Sequence, residues 1–132
     1  MKRQNISSGT DYEAIAGYSR ALRLGNIVHV SGTTATDGAN TIVGFGDSAA
    51  QTDFIIRKIE RALNEAGGEL RDVVRTRIYL APGADWEAVA RVHGKYFGEI
   101  RPANTLLYIH ALVGEDYLVE MEAEAIITTA EL

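Results

Sequence analysis

Hydrophobic and polar positions follow two different periods along the chain, and the switches between them mark its elements. Residues 18–32, "YSRALRLGNIVHVSG", read as two short strands meeting at Gly25-Asn26, a hairpin signal. The Gly-rich stretch "TTATDGANTIVGFG" reads as a loop. From Asp47 the period lengthens: Phe54, Ile55, Ile59, Ala62, Leu63 and Ala66 fall close to helical spacing. Asp47 or Ser48 can cap this helix, and Gly67-Gly68 stop it. "VVRTRIYLA" returns to strand and ends at Pro82-Gly83. Asp85 then caps a second helix, "WEAVARVHGKYFG", with Trp86, Val89, Val92, His93, Tyr96 and Phe97 as its expected inner side. Pro102 forces an extended start to "NTLLYIHAL". After "VGEDY" comes a last strand, "LVEMEAEAIIT". The order ββαβαββ predicts one α+β domain over residues 1–132, a sheet with two helices on one face.

Alternation within the strands sorts the side chains by face. The last strand separates Val119, Met121, Ala123 and Ala125 from Glu120, Glu122 and Glu124. In "VVRTRIYLA", Val74, Ile78 and Leu80 oppose Arg75, Arg77 and Tyr79. In "NTLLYIHAL", Leu107 and Ile109 oppose Asn104, Leu106, Tyr108 and His110. With the helices over the apolar sets, the second face is expected to combine Arg75, Arg77, Tyr79, Tyr108 and His110 with the three glutamates. Buried carboxylates need cationic partners, and Arg75 and Arg77 are the natural ones. Such a face is either solvated or packed against another subunit, and its mixture of charge and aromatic groups favours assembly.

Composition narrows the chemistry. Thirteen basic against eighteen acidic residues leave a net charge of −5, which speaks against general affinity for nucleic acid or anionic membrane. There are no cysteines, so disulfides and thiolate chemistry are excluded. No apolar run approaches the roughly 20 residues that span a bilayer, and the first twenty residues lack a signal-peptide core. A cytoplasmic protein is expected. His29, His93 and His110 are scattered without metal-ligand spacing. No "GxSxG" occurs, and "GFGDSA" lacks both the Walker lysine and a dinucleotide fingerprint.

Taken in order, "YSRALRLGNIVHVSG", "GGELRDVVRTRIYLA", "DWEAVARVHGKYFGEI", "RPANT" and "VEMEAEAI" resemble the reactive intermediate deaminase (RidA/YjgF) family over most of the chain. The resemblance implies a chorismate-mutase-like fold and a homotrimer whose polar sheet faces turn inward, with clefts between subunits. It implies hydrolysis of small imines or enamines such as 2-aminoacrylate to a 2-keto acid and ammonia, without cofactor or metal. Ribonuclease and protein-protective roles are also attributed to members, but an acidic chain with no evident basic groove fits nucleic acid poorly.

The resemblance also implies site residues. In deaminase members an arginine two residues after the proline of a Pro-Ala-Arg motif grips the substrate carboxylate, a bidentate role suited to a planar guanidinium. This chain reads Pro102-Ala103-Asn104, and asparagine offers hydrogen bonds but no charge. Activity of the 2-aminoacrylate type is therefore in doubt, and Arg20, Arg77 or Arg101 is the candidate replacement cation. Glu120 matches the first glutamate of the family's site strand. It either orients water and accepts a hydrogen bond from the imine, or pairs with Arg77 across the trimer. Tyr18 matches a cleft tyrosine, and Ser31-Gly32 match a turn that brings backbone near the ligand. Two functions follow: a cofactor-free hydrolase of a small imine, enamine or related metabolite, or a trimeric ligand-binding or regulatory protein without deaminase activity.

Overall fold

The computed structural model describes residues 1–128. A six-stranded sheet has the order β1-β2-β3-β6-β4-β5. Its strands are β1 (Arg3–Ile6), β2 (Ala21–Leu24), β3 (Ile27–Thr33), β4 (Val73–Leu80), β5 (Ala103–Tyr108) and β6 (Val119–Ile126). Three helices, α1 (Asp11–Ala16), α2 (Ser48–Glu65) and α3 (Trp86–Phe97), complete the fold, with a short 3₁₀ turn at Leu70–Asp72. The expected ββαβαββ order is present and is preceded by β1 and α1. Neither has an apolar period: of the four residues of β1 only Ile6 is buried, and α1 is six residues long.

Local chemistry explains the principal boundaries. Gly25 takes φ 63° in the β2–β3 hairpin, a conformation that favours glycine. The Asp47 carboxylate accepts from Ala50 N at 3.0 Å and starts α2. Asp85 does the same for α3 with Ala88 N at 3.1 Å. After α2, Gly67 at φ 93° turns the chain away.

Helix α2 presses Ile55, Ile56, Ile59 and Leu63 onto Val28, Val30, Met121 and Ala123, all nearly inaccessible. Burying each large side chain contributes roughly 1.5–3 kcal/mol, so this layer is what fixes α2 on the sheet. Helix α3 contributes Val89 and Phe97 to the same core, but Trp86, expected on the inner side, is 54% exposed. It occupies the first helical position, where the chain is still approaching the sheet.

Two strand-face expectations are corrected. Pairing of β4 with β6 shifts by one residue between Val73 and Arg75, so Val73 takes the core position and Val74 is turned out to 43% exposure. β5 pairs in parallel with β4, aligning Asn104 with Thr76, Leu106 with Ile78 and Tyr108 with Leu80. Asn104, Leu106 and Tyr108 therefore share the helix-covered side, while Thr105 lies with Arg75 and donates nothing to the core; Arg75 Nη2 reaches Thr105 Oγ1 at 3.0 Å. Alternation separates the two sets of β5 but, with leucine in both, does not say which faces inward. Tyr108 consequently leaves the charged face: its hydroxyl donates to Ala84 O at 2.6 Å.

Candidate functional site

The glutamate strand behaves as its period requires. Val119, Met121, Ala123 and Ala125 are buried, and Glu120, Glu122 and Glu124 project to the opposite face. Arg77 sits between two of them, 3.4 Å from Glu122 and 3.7 Å from Glu124. Tyr79 donates to Glu122 at 3.1 Å, and His29 Nδ1 lies 3.4 Å from Glu124. Arg75, the other expected partner, is directed to Thr105 instead.

Glu120 is different. Burial pushes its carboxyl pKa up; Arg20 opposes that rise, and Glu122 adds to it. The carboxylate lies against Gly32, at the end of β3, where any Cβ would overlap its Oε2 and stand 3.2 Å from Cδ. Glycine permits this close approach of the carboxylate, and the backbone angle places no demand of its own.

Arg20 is held just before β2 by backbone pairing: its N–H donates to Ile6 O, and its carbonyl accepts from Ser31 N. Its side chain is nine-tenths buried. Nη2 donates to Gly32 O at 2.6 Å, and the guanidinium carbon sits 5.7 Å from the centroid of the Tyr18 ring. Nε is buried without a hydrogen-bond partner. Ser31 Oγ donates to Ser19 O at 2.7 Å, which ties the segment before β2 to the end of β3 at the open end of the hairpin. An open groove of about 530 Å³ runs past Tyr18, Ser19, Leu22, His29 and Ser31 and stops short of Glu120.

Five expected site residues, Tyr18, Arg20, Ser31, Gly32 and Glu120, thus come together around the β3 terminus. Three do not join them within one protomer. Arg77 is engaged by Glu122 and Glu124. Arg101 is exposed beyond α3, donating to Gly98 O at 3.0 Å. Asn104 lies two strands from β6 on the other side of the sheet, where Nδ2 donates to Thr76 Oγ1 at 2.9 Å. Thr76 in turn is 2.9 Å from His93 Nε2. Burial holds the His93 pKa below its ordinary value, so the imidazole is neutral near pH 7.

Lys58 escapes sequence reasoning because nothing in a helical period distinguishes it from a solvated lysine. Its Nζ donates to Thr34 O and Thr36 O at 3.0 and 2.9 Å and ties α2 to the loop after β3. Burial, reinforced by Arg20, lowers its pKa to about 8. Glu13 is similarly unannounced. Burial raises its pKa, but hydrogen bonds from Ser8, Thr10 and Ser7 outweigh that and hold it low, anchoring α1 beside Tyr18. Among the described residues no group of three His, Asp or Glu side chains could hold a metal ion, and no helix is long and apolar enough to cross a membrane.

Sheet order, helix placement and the Gly32–Glu120 contact define a small α+β domain with its candidate site at the open end of the hairpin. A family model described as Endoribonuclease L-PSP matches residues 9–127, and the chain belongs to that family, in accord with its RidA/YjgF resemblance. The chain is 40% identical over 111 residues to the 3-aminoacrylate deaminase RutC of Acinetobacter baylyi, covering 84% of this chain and 87% of that one. A RutC family protein of Pyrococcus abyssi is 37% identical over 125 residues, covering 95% and 98%. The crystal structure of a Mycobacterium tuberculosis member of the YjgF/YER057c/UK114 family superposes with TM-score 0.86 at 44% identity, covering 96% and 100%.

Proposed function

We propose that the protein is a cofactor-free hydrolase of a small imine or enamine, with Glu120 as the group that moves protons. The observation that carries this reading is the Glu120 carboxyl pressed on Gly32 beside a buried arginine, with its pKa raised. A carboxyl group poised nearer neutrality than a solvated glutamate serves as both base and acid. Family membership and the similarity to a 3-aminoacrylate deaminase support deamination in the broad sense.

The proposed chemistry balances without a cofactor. An enamine first takes a proton from the solvent at carbon and becomes its iminium. Water oxygen then bonds to the iminium carbon, the C=N π pair moves to nitrogen, and the water proton passes to Glu120. Glu120 returns that proton to nitrogen. It then takes the hydroxyl proton as the C–N bond breaks, leaving a carbonyl compound and ammonia. Ammonia leaves as ammonium after collecting the proton from Glu120.

The site is proposed to close between subunits of a homotrimer, with the Arg77–Glu122–Glu124 face turned toward its neighbours and Asn104 reaching the cleft from an adjacent chain. Because Asn104 lacks charge, an amino-acid imine is held only where another cation supplies the grip. The description Endoribonuclease L-PSP belongs to the family as a whole. In this chain Arg77 is already neutralised by carboxylates and Arg20 is covered, which favours a small metabolite over RNA. Imines generated by an amino-acid oxidase test the proposal. Carbonyl product should appear faster with the protein than by spontaneous decay. No acceleration with any imine, together with measurable ligand binding, would instead establish the non-enzymatic alternative.

A further inference from the structure

We propose, independently of the hydrolase reading, that Lys58 is a nucleophilic amine modified by small acyl phosphates, and that its acylation unfastens the loop after β3. The chain has three lysines; Lys2 and Lys95 are exposed, whereas Lys58 on α2 is only partly so. Lys58 Nζ has two hydrogen-bond acceptors, Thr34 O at 3.0 Å and Thr36 O at 2.9 Å. Among the described residues no carboxylate lies within ion-pair distance of it. An ammonium brings three N–H donors and calls for a counter-charge, while a neutral amine brings two donors and a lone pair. The two carbonyls therefore satisfy the neutral amine in full and leave the ammonium short of a donor's partner and of a counter-charge. Lys95 is placed differently: its Nζ lies 5.8 Å from the centroid of the Tyr96 ring, a contact that favours the ammonium.

The charges around Lys58 point the same way. Arg20 faces it from the segment before β2, Asp37 from the loop after β3 and Glu13 from α1; on α2 itself Arg61 follows one turn later and is exposed. Burial is the largest influence and Arg20 adds to it, while Asp37 and Glu13 oppose both from beyond ion-pair distance; the pKa falls to about 8. At that pH about half of the amine is unprotonated, against well under one part in a hundred for a solvated lysine. The Nζ lone pair bonds to the acyl carbon, the C–O bond to phosphate breaks, phosphate leaves with that electron pair, and an amine proton passes to solvent. The resulting amide keeps a single N–H and no charge, so at most one of the two carbonyl bonds survives. What then holds the loop is thin: the Thr36 and Tyr117 hydroxyls share a hydrogen bond, and Val43 N donates to Ala35 O at 2.8 Å. This segment continues directly from Gly32 and Thr33, so a change at Lys58 reaches the end of β3.

The test compares the three lysines within one molecule. The full chain is treated with limiting acetyl phosphate at a series of pH values between about 7 and 10, and acetylation of each lysine is followed by peptide mass spectrometry. At about pH 8 Lys58 should react roughly tenfold or more faster than Lys2 or Lys95, and its rate should level off above that pH while theirs keep climbing. A Lys58 rate no greater than theirs, or one that climbs in parallel with them, would overturn the nucleophile. The second arm reads the loop by amide hydrogen exchange at Val43, with a melting curve on the same sample. Exchange should quicken about tenfold on acetylation and in Lys58→Gln, and stay near the parent rate in Lys58→Arg, while the melt shows the fold intact. An unchanged Val43 amide after complete acetylation, or loss of the whole fold, would overturn the unfastening.

Discussion

Gly32→Ala isolates the position of the Glu120 carboxylate from the stability of the fold. The backbone at Gly32 lies outside the left-handed region, so alanine meets no dihedral strain. Its methyl would overlap Glu120 Oε2 and come within 3.2 Å of Cδ and 3.5 Å of Cγ. These atoms are the free end of a side chain that forms no ion pair among the described residues, so the carboxylate swings aside and the core stays in place. Alanine also restricts the unfolded chain, a gain of about 0.4–1 kcal/mol. The two effects oppose each other, and net stability should change by no more than about 1 kcal/mol, a shift of a few degrees in Tm. Catalysis has no such compensation. A misplacement of about 1 Å at a proton-transfer group costs on the order of a hundredfold in rate. Carbonyl release from an oxidase-generated imine and a melting curve should be measured on the same preparation. Turnover should collapse while the melt barely moves. Unchanged turnover would refute the role given to the Gly32–Glu120 contact, and a lost fold would refute the claim that the contact is functional rather than structural.

Two further outcomes follow from other parts of the molecule. His93 has a folded-state pKa below its ordinary 6.5, so the unfolded chain takes up a proton first as the pH falls. Stability should therefore decline as the pH drops below about 6.5 and level off below the folded value; His93→Gln should flatten that slope in melts taken between about pH 7.5 and 5. Light scattering at micromolar concentration should report about three chains per particle, and a persistent monomer would contradict the assignment of the Arg77–Glu122–Glu124 face to subunit packing.

Five of the six strands and the two long helices were legible because their periods are unambiguous. The run from Val119 to Ala125 sorts cleanly into core and carboxylate faces, and Asp47 and Asp85 cap where expected. What failed was information that a single strand does not contain. The bulge that replaces Val74 by Val73 arises from pairing with β6, and the placement of Asn104 and Tyr108 on the helix side of the sheet arises from the parallel register with β4. Likewise, β1 and α1 are held by backbone pairing and by Glu13, not by any apolar period. Within the site, resemblance named Tyr18, Arg20, Ser31, Gly32 and Glu120, and the fold gathers them. It could not tell the three arginines apart, since they differ in the partners the fold gives them: Gly32 O for Arg20, Glu122 and Glu124 for Arg77, and Gly98 O for Arg101. Lys58 was silent because its partners are two backbone carbonyls of a loop.

Glu120→Gln tests the central claim most directly, with turnover and particle mass read together. Glutamine keeps the size and hydrogen-bonding capacity of the side chain and removes its basicity. Glu120 has no ion-pair partner to abandon within the protomer, among the described residues, so the fold and assembly should persist. The enzyme-dependent rate of imine hydrolysis should fall on the order of 10²–10⁴-fold. A Glu120→Gln protein that assembles normally and hydrolyses the imine at the parent rate would contradict the account.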